Sequence, residues 1–486
     1  MSFSTLVRRP LTGRTVFAMM AFASVAHAQV APKVPARPTP RQAKTPVFPK
    51  ITVQTLANGL RLAVLENHEL PIVAVRVGLP SGTFLDGRGK EGAWALMVSS
   101  LREGTMTRSA AAIAEAAADL GAPITWTAST PSLGGPSFTA SFTNVRSAWQ
   151  LSLELLADML VHPGFGADGM QRAQAALATT AARPTPQILA QRTLAARLYG
   201  IDHPYTRFAT DTSIRAVTRD DVVALQSAYL RPQTTTIVVA GDVTPAEARL
   251  AVEKAFASWE KTGTTIEPGV AAPAVASMPT TIFLRDQPGA PQSFIIGGQL
   301  IPSRASADAA AIEAVAAVLG GASGGSRLFD AFRVARGLSY NPNSQILWRP
   351  EPQLATWIAA TTVPTAKTDT AVIEWLRVVR EVHGDRPLTV AELEFSRNNL
   401  VGVLPAQLET VDAVATRTMT VLQNGLNPAF YTEYAARMNS LTLAEVQSAA
   451  MKYLDPDHTV IVVVGDRTKL EAPLRATGIP VVIVDR

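Results

Sequence analysis

Residues 217–242 read VTRDDVVALQSAYLRPQTTTIVVAGD, and residues 441–466 read LTLAEVQSAAMKYLDPDHTVIVVVGD. The two stretches align without a gap at an offset of 224. In each, a Thr (Thr218 or Thr442) precedes acidic side chains in the first turn of an expected helix. A proline turn follows, then an apolar run that reads as a strand, then Gly-Asp. A weaker echo pairs PIVAVRVG at 71–78 with PQSFIIGG at 291–298, at an offset of 220. A repeat of this length marks a duplicated domain rather than a solenoid.

The repeat implies an expected α+β fold made of two homologous domains, 51–260 and 279–486. Each would be a largely antiparallel sheet packed with helices. A chain of 486 residues suggests about two to four domains at roughly 100–200 residues each. Residues 261–278 are rich in Gly, Pro, Ala and Thr and read as a linker. Val53–Leu65 and Ile72–Leu79 read as a β-pair, with Asn58-Gly59 as a turn inside the first stretch. Ala110–Leu120, Ser147–Leu160, Met170–Ala182 and Pro186–Leu198 read as helices, and Ile312, Val315, Val318 and Leu319 keep helical spacing.

The first residues read as an export signal over 1–28. Arg8, Arg9 and Arg14 precede the apolar run Val16–Val25, and Ala26-His27-Ala28 fits a small-x-small cleavage site. Residues 29–50 hold six prolines and five basic side chains, the composition of an extended tail. No later stretch reaches the roughly 20 apolar residues that a membrane helix needs. The expected location is the bacterial periplasm. The chain has no cysteine, which excludes disulfides, thiolate catalysis and cysteine-based metal sites. Its formal charge of +5 is misleading: the first 50 residues carry eight Lys/Arg and no acid, leaving 36 basic against 39 acidic side chains in 51–486. Nucleic-acid binding is not indicated.

Residues 90–105, KEGAWALMVSSLREGT, carry the most specific signal. They resemble the KxGLAHxLEHMLFxGT segment of the pitrilysin/insulinase-type zinc peptidases. In that inverzincin class an H-x-x-E-H helix supplies two zinc ligands and the general base. LANGLRLAVLENHELPIVAVRVG at 56–78 resembles the family's opening strands. LYGIDHPYTRFATDTSIRAVTRDDV at 198–222 and LGGASGGSRLFDAFRVARGLSYN at 319–341 resemble two later family motifs, in the same order. The duplicated domain is a further point of likeness.

The departures from the family lie at the metal site. Ala95 and Ser99 stand where the two histidine ligands would be, and Val98 stands at the general-base position. The third ligand, a Glu in the family, falls near Thr180, and no Glu occurs between Glu154 and Glu247. No two of His68, His162, His203, His383 and His458 lie within one helical turn of each other. The resemblance therefore implies no metal in this chain, and zinc in a partner chain.

Arg333 and Tyr340 match the family's Arg/Tyr pair. A helix over Ser326–Arg336, stopped by Gly337 as a left-handed cap, would let the turn bring Tyr340 beside Arg333. Guanidinium and phenol could then donate to the oxygen that becomes negative when water attacks a peptide carbonyl. Spacing alone reads more simply as an exposed helical arginine and a strand-start aromatic, and it is the resemblance that gives the pair its role. Arg336, four residues from Tyr340, does not fit the pattern. Gly320, Gly321, Gly324 and Gly325 form a loop suited to a tight helix connection or to close backbone approach by a peptide. The G-x-S-x-G within it is preceded by a helix rather than a strand, so it is not read as a serine nucleophile.

Two functions fit. The first is the zinc-free subunit of an exported two-chain metallopeptidase, which supplies Arg333 and Tyr340 in trans to a homologous subunit bearing H-x-x-E-H. Such a chain would not be a peptidase alone. The second is a non-catalytic peptide-binding or scaffold protein of the cell envelope.

Overall fold

Two six-stranded sheets organise the chain, and five strands of one recur in the other. The computed structural model describes residues 48–80, 85–128, 137–261, 278–321, 324–350 and 353–484. The expected signal, most of the tail and linker residues 262–277 lie outside the described residues. The first sheet contains β1 (Thr52–Thr55), β2 (Arg61–Glu66), β3 (Ile72–Pro80), β4 (Thr125–Ala128), β5 (Ser137–Val145) and β6 (Thr236–Gly241), in the order β1-β2-β6-β3-β5-β4. The second contains β7 (Thr281–Asp286), β8 (Gln292–Ile301), β9 (Asn343–Leu347), β10 (Ala355–Pro364), β11 (Val460–Gly465) and β12 (Val481–Val484), in the order β12-β7-β11-β8-β10-β9. The sixth strand differs. β1 joins β2 through the Asn58-Gly59 turn, where Gly59 takes φ 93°, whereas β12 arrives from the C-terminal end and runs parallel to β7.

The repeated sequence builds the centre of each sheet. β6 lies parallel to β2, and β11 lies parallel to β7; most other pairings are antiparallel. The expected pairing of Val53–Leu65 with Ile72–Leu79 is corrected here, because β6 lies between β2 and β3. The hairpin is instead internal to the first stretch. The paired helices Arg219–Tyr229 and Leu443–Tyr453 start on identical devices. The hydroxyls of Thr218 and Thr442 accept from the backbone of Asp221 and Glu445, whose carboxylates accept in return. These helices pack on Ala93–Ser100 and Ala309–Ala316 respectively, so Ala309–Ala316 is the second-half counterpart of Ala93–Ser100.

Side-chain alternation sends each strand's apolar residues to both faces. In the first sheet, Leu62, Val64, Val75, Val77, Ile237 and Val239 meet the helices of their own half. Ala63, Leu65, Ala74, Val238 and Ala240 meet helix Val411–Gln423 of the second half. The second sheet repeats the arrangement with the halves exchanged. Phe283, Ile296, Ile358, Val462 and Val464 pack against Ala190, Leu194 and Ala195 of helix Pro186–Tyr199, which belongs to the first half. Each half thus lends one helix to the other's sheet, which is why the central strands read as unbroken apolar runs. Full burial of a leucine such as Leu194 contributes about 1.5–3 kcal/mol.

Two glycines of the weaker echo mark these crossings. Gly78 in β3 and Gly298 in β8 occupy equivalent echo positions. A Cβ on Gly78 would lie 2.3 Å from Met419 Sδ of the crossing helix. A Cβ on Gly298 would lie 2.8 Å from the Trp357 carbonyl oxygen and 3.1 Å from Leu194. Arg76, Asp412 and Thr143 add a polar link between the halves, with Thr143 Oγ1 donating to Asp412 at 2.7 Å.

Candidate functional site

The helix Ala93–Ser100, where the resemblance places the zinc positions, is built as core. Trp94, Leu96, Met97 and Val98 join the buried cluster of the first half. Its entry needs a glycine, since Gly92 takes φ 105° with Ile214 close behind it. Asp86 accepts the Gly92 and Trp94 N–H groups, each at 2.7 Å. Burial pushes its carboxyl up to about 7, against the pull of those two donors. Ala95 and Ser99 are half-buried, and Val98 is buried. Thr180 lies exposed near the end of helix Ala167–Ala182, its hydroxyl donating to the Ala176 carbonyl at 3.0 Å. An alkyl group at the expected base position and at most two neutral hydroxyls at the expected ligand positions do not fit a zinc ion, which takes thiolate, imidazole or carboxylate ligands. Among the described residues, no three His, Asp or Glu side chains gather in a metal-binding group.

The second half places Arg333 and Tyr340 together. The expected helix is present but changes winding: it is α-helical over Arg327–Phe329 and π-helical over Asp330–Ala335. Gly337 takes φ 59° and ends it, and the Leu338 N–H returns to the Phe332 carbonyl at 2.6 Å. Leu338 is buried, and Thr361 donates to Ser339 at 2.7 Å, fixing the turn that follows. The Arg333 guanidinium carbon then lies 3.5 Å from the centre of the Tyr340 ring, and Nη1 donates to the Tyr340 carbonyl at 3.3 Å. Tyr340 is 74% exposed. Among the described residues Arg333 has no carboxylate partner. Arg336 is committed elsewhere, 3.1 Å from the buried carboxylate of Glu374.

Arg333 and Tyr340 line one cavity of about 710 Å³. Its floor is Phe294 and Ile296 of β8 with Ile358 and Ala360 of β10, and its outer wall includes Asn343 and Gln345 of edge strand β9. Gln187 and Gln191 of the first-half crossing helix close one side. Sequence reading missed these two, because nothing local shows that this helix leaves its own half. It also missed Arg327, only 2% exposed in its side chain, which forks onto both oxygens of Glu392 at 2.6 and 2.9 Å. Burial works to raise the Glu392 carboxyl, and Arg327 overcomes this to hold it below its usual range. The same guanidinium donates to the Arg386 and Pro387 carbonyls, anchoring the start of the helix that carries Arg333.

The four glycines do not line this cavity. Gly320 is buried against β9, where a Cβ would lie 2.7 Å from the Ser344 nitrogen. Gly321 is exposed. Gly324 and Gly325 take φ 85° and 83°, and Gly325 faces the Phe395 ring. Ala322 and Ser323 between them lie outside the described residues.

Residues 216–400 match the family described as peptidase M16 inactive domain. The matched span runs from the first repeat helix to the end of helix Val390–Leu400 and contains both Arg333 and Tyr340. The chain has the fold of M16 peptidases. A peptidase M16 inactive domain from Pseudomonas fluorescens superposes with a TM-score of 0.77 at 23% identity, covering 86% of this chain and 98% of that one. A protease from Helicobacter pylori gives 0.77 at 17% identity, covering 86% and 100%. The periplasmic protease PqqL from Escherichia coli gives 0.70 at 17% identity, covering 89% of this chain and 49% of that longer one. No curated protein sequence matches the chain. The likeness to pitrilysin-type peptidases drawn from the motifs holds, as does the α+β fold with two sheets. No helix among the described residues is long and apolar enough to cross a membrane.

Proposed function

We propose that this chain is the zinc-free subunit of an exported two-chain metallopeptidase, binding peptide and assisting its hydrolysis in trans. A homologous partner bearing H-x-x-E-H would hold the zinc. The observation that carries this reading is the stacked Arg333–Tyr340 pair on an open cavity, in a chain whose own metal positions are Ala95, Ser99 and Thr180. Arg333 spends one N–H on the Tyr340 carbonyl, which leaves the rest of its fork to face a substrate. The exposed phenol supplies a second donor. Both groups favour a carbonyl oxygen more as negative charge develops on it, so they stabilise the transition state more than the bound peptide.

The test is reconstitution with the partner. Neither chain alone should cleave a quenched peptide, and the mixture should. Arg333→Ala in the mixture should lower kcat by about 10²–10³-fold, the usual effect of losing one such donor. A mixture that keeps full activity with Arg333→Ala and with Tyr340→Phe would remove the catalytic role. A chain that binds peptide but gives no activity with any partner would be a peptide-binding protein of the envelope.

A further inference from the structure

We infer that the cavity selects an extended peptide segment whose side chains are uncharged and polar, and that it rejects lysine and arginine there. This rests on the peptide-binding reading above and names the substrate class that the same site takes. Six of the lining residues carry amides: Gln187, Gln191, Gln292, Asn341, Asn343 and Gln345. Ser339, Thr361 and Thr362 add hydroxyls, and the floor is aliphatic and aromatic. Among the described residues, no carboxylate lines the cavity, and Arg333 is its one charged side chain.

A primary amide offers two donors and an acceptor. A wall of amides can therefore pair with peptide backbone, and with Ser, Thr, Asn and Gln side chains, without a net charge on either side. A lysine or arginine entering the cavity gives up hydration, finds no counter-charge, and comes close to Arg333. Discrimination then comes from repulsion and an unpaired charge as well as from good contacts. The single cation stays available for the carbonyl oxygen, as the proposed mechanism requires. The amides come from both halves of the chain, since Gln187 and Gln191 lie on the crossing helix. The selectivity is thus a product of the exchanged packing.

The test uses the full chain and fluorescent nonapeptides of Ser, Thr, Asn and Gln, acetylated and amidated to remove terminal charge. One set is neutral, one carries a central Lys, and one carries a central Glu. The Lys peptide should bind about tenfold or more weakly than the neutral one, with the Glu peptide tolerated. Gln187→Glu should shift the Lys-to-neutral affinity ratio by about tenfold toward Lys. That carboxylate falls in the first turn of its helix, where negative charge is favourable, so the variant should fold. Equal binding of all three peptides, or an unchanged ratio in Gln187→Glu, would overturn the inference while leaving the peptide site standing. Failure of every peptide to bind would overturn the peptide-binding reading, and this inference with it.

Discussion

The Arg333 guanidinium stacks on the Tyr340 ring at 3.5 Å while donating to the Tyr340 backbone carbonyl. One contact fixes the cation over an aromatic face, and the other ties it to the turn that carries that ring. Together they hold a fork and a phenol at one place in a cavity wall, seven residues apart in sequence. Tyr340→Phe should preserve the stack and lose only the phenol donor. It should therefore cost less than Arg333→Ala in the reconstituted enzyme, about tenfold in kcat against 10²–10³-fold. Steady-state kinetics on the two variants checks this order.

Arg327 holds the base of the same helix. Removing one member of a buried, forked ion pair strands the other, at a cost of about 3–5 kcal/mol. Arg327→Met should lower the urea midpoint by that equivalent. Arg327→Met combined with Glu392→Met should recover a substantial part of it, because no charge is then left unpaired. Denaturation curves for the two single variants and the double variant measure the coupling. Additive losses would show that the pair is not a unit.

The crossing glycines should differ in tolerance. At Gly298 the added carbon meets a backbone carbonyl, which cannot move out of the way; at Gly78 it meets the flexible ends of Met419 and Gln423. Gly298→Ala should therefore destabilise by about 1–3 kcal/mol, and Gly78→Ala by less. The reverse order in denaturant midpoints would contradict the packing described for the two sheets.

Asp86 should make stability fall as pH rises. Its carboxyl titrates near 7 when folded, against about 3.9 when unfolded. Between those values the folded state binds the extra proton, so the contribution is fully present below about pH 4 and is lost as pH passes through 7. The loss is at most on the order of 4 kcal/mol. Asp86→Asn should flatten this slope in urea midpoints measured from pH 5 to pH 8. A slope unchanged in Asp86→Asn would place the titration elsewhere.

Much of this was legible in the sequence because the repeat is local. Thr218 and Thr442 announce their helices, and Val460–Gly465 reads as a buried strand without reference to anything distant. Gly337 likewise announces the turn that brings Tyr340 to Arg333. The pairing of Arg327 with Glu392 was not legible, since a buried Arg in SRLF looks like any helical Arg until its partner, 65 residues on, is placed. Gln187 and Gln191 were hidden for a related reason. Their helix is only weakly amphipathic, and only the three-dimensional exchange shows whose sheet it covers. The strand order failed at β2 and β3, because β6 inserts between neighbours from far along the chain.

The proposed function requires that this chain work beside a zinc-bearing sister. The most direct measurement is to tag the chain, recover it from its native cell envelope, and identify by mass spectrometry what co-purifies in equal amount. A stoichiometric homologous partner containing H-x-x-E-H is the result expected, and it would place Arg333 and Tyr340 in a composite peptidase. Recovery of the chain alone, or with envelope proteins lacking that motif, would contradict the claim.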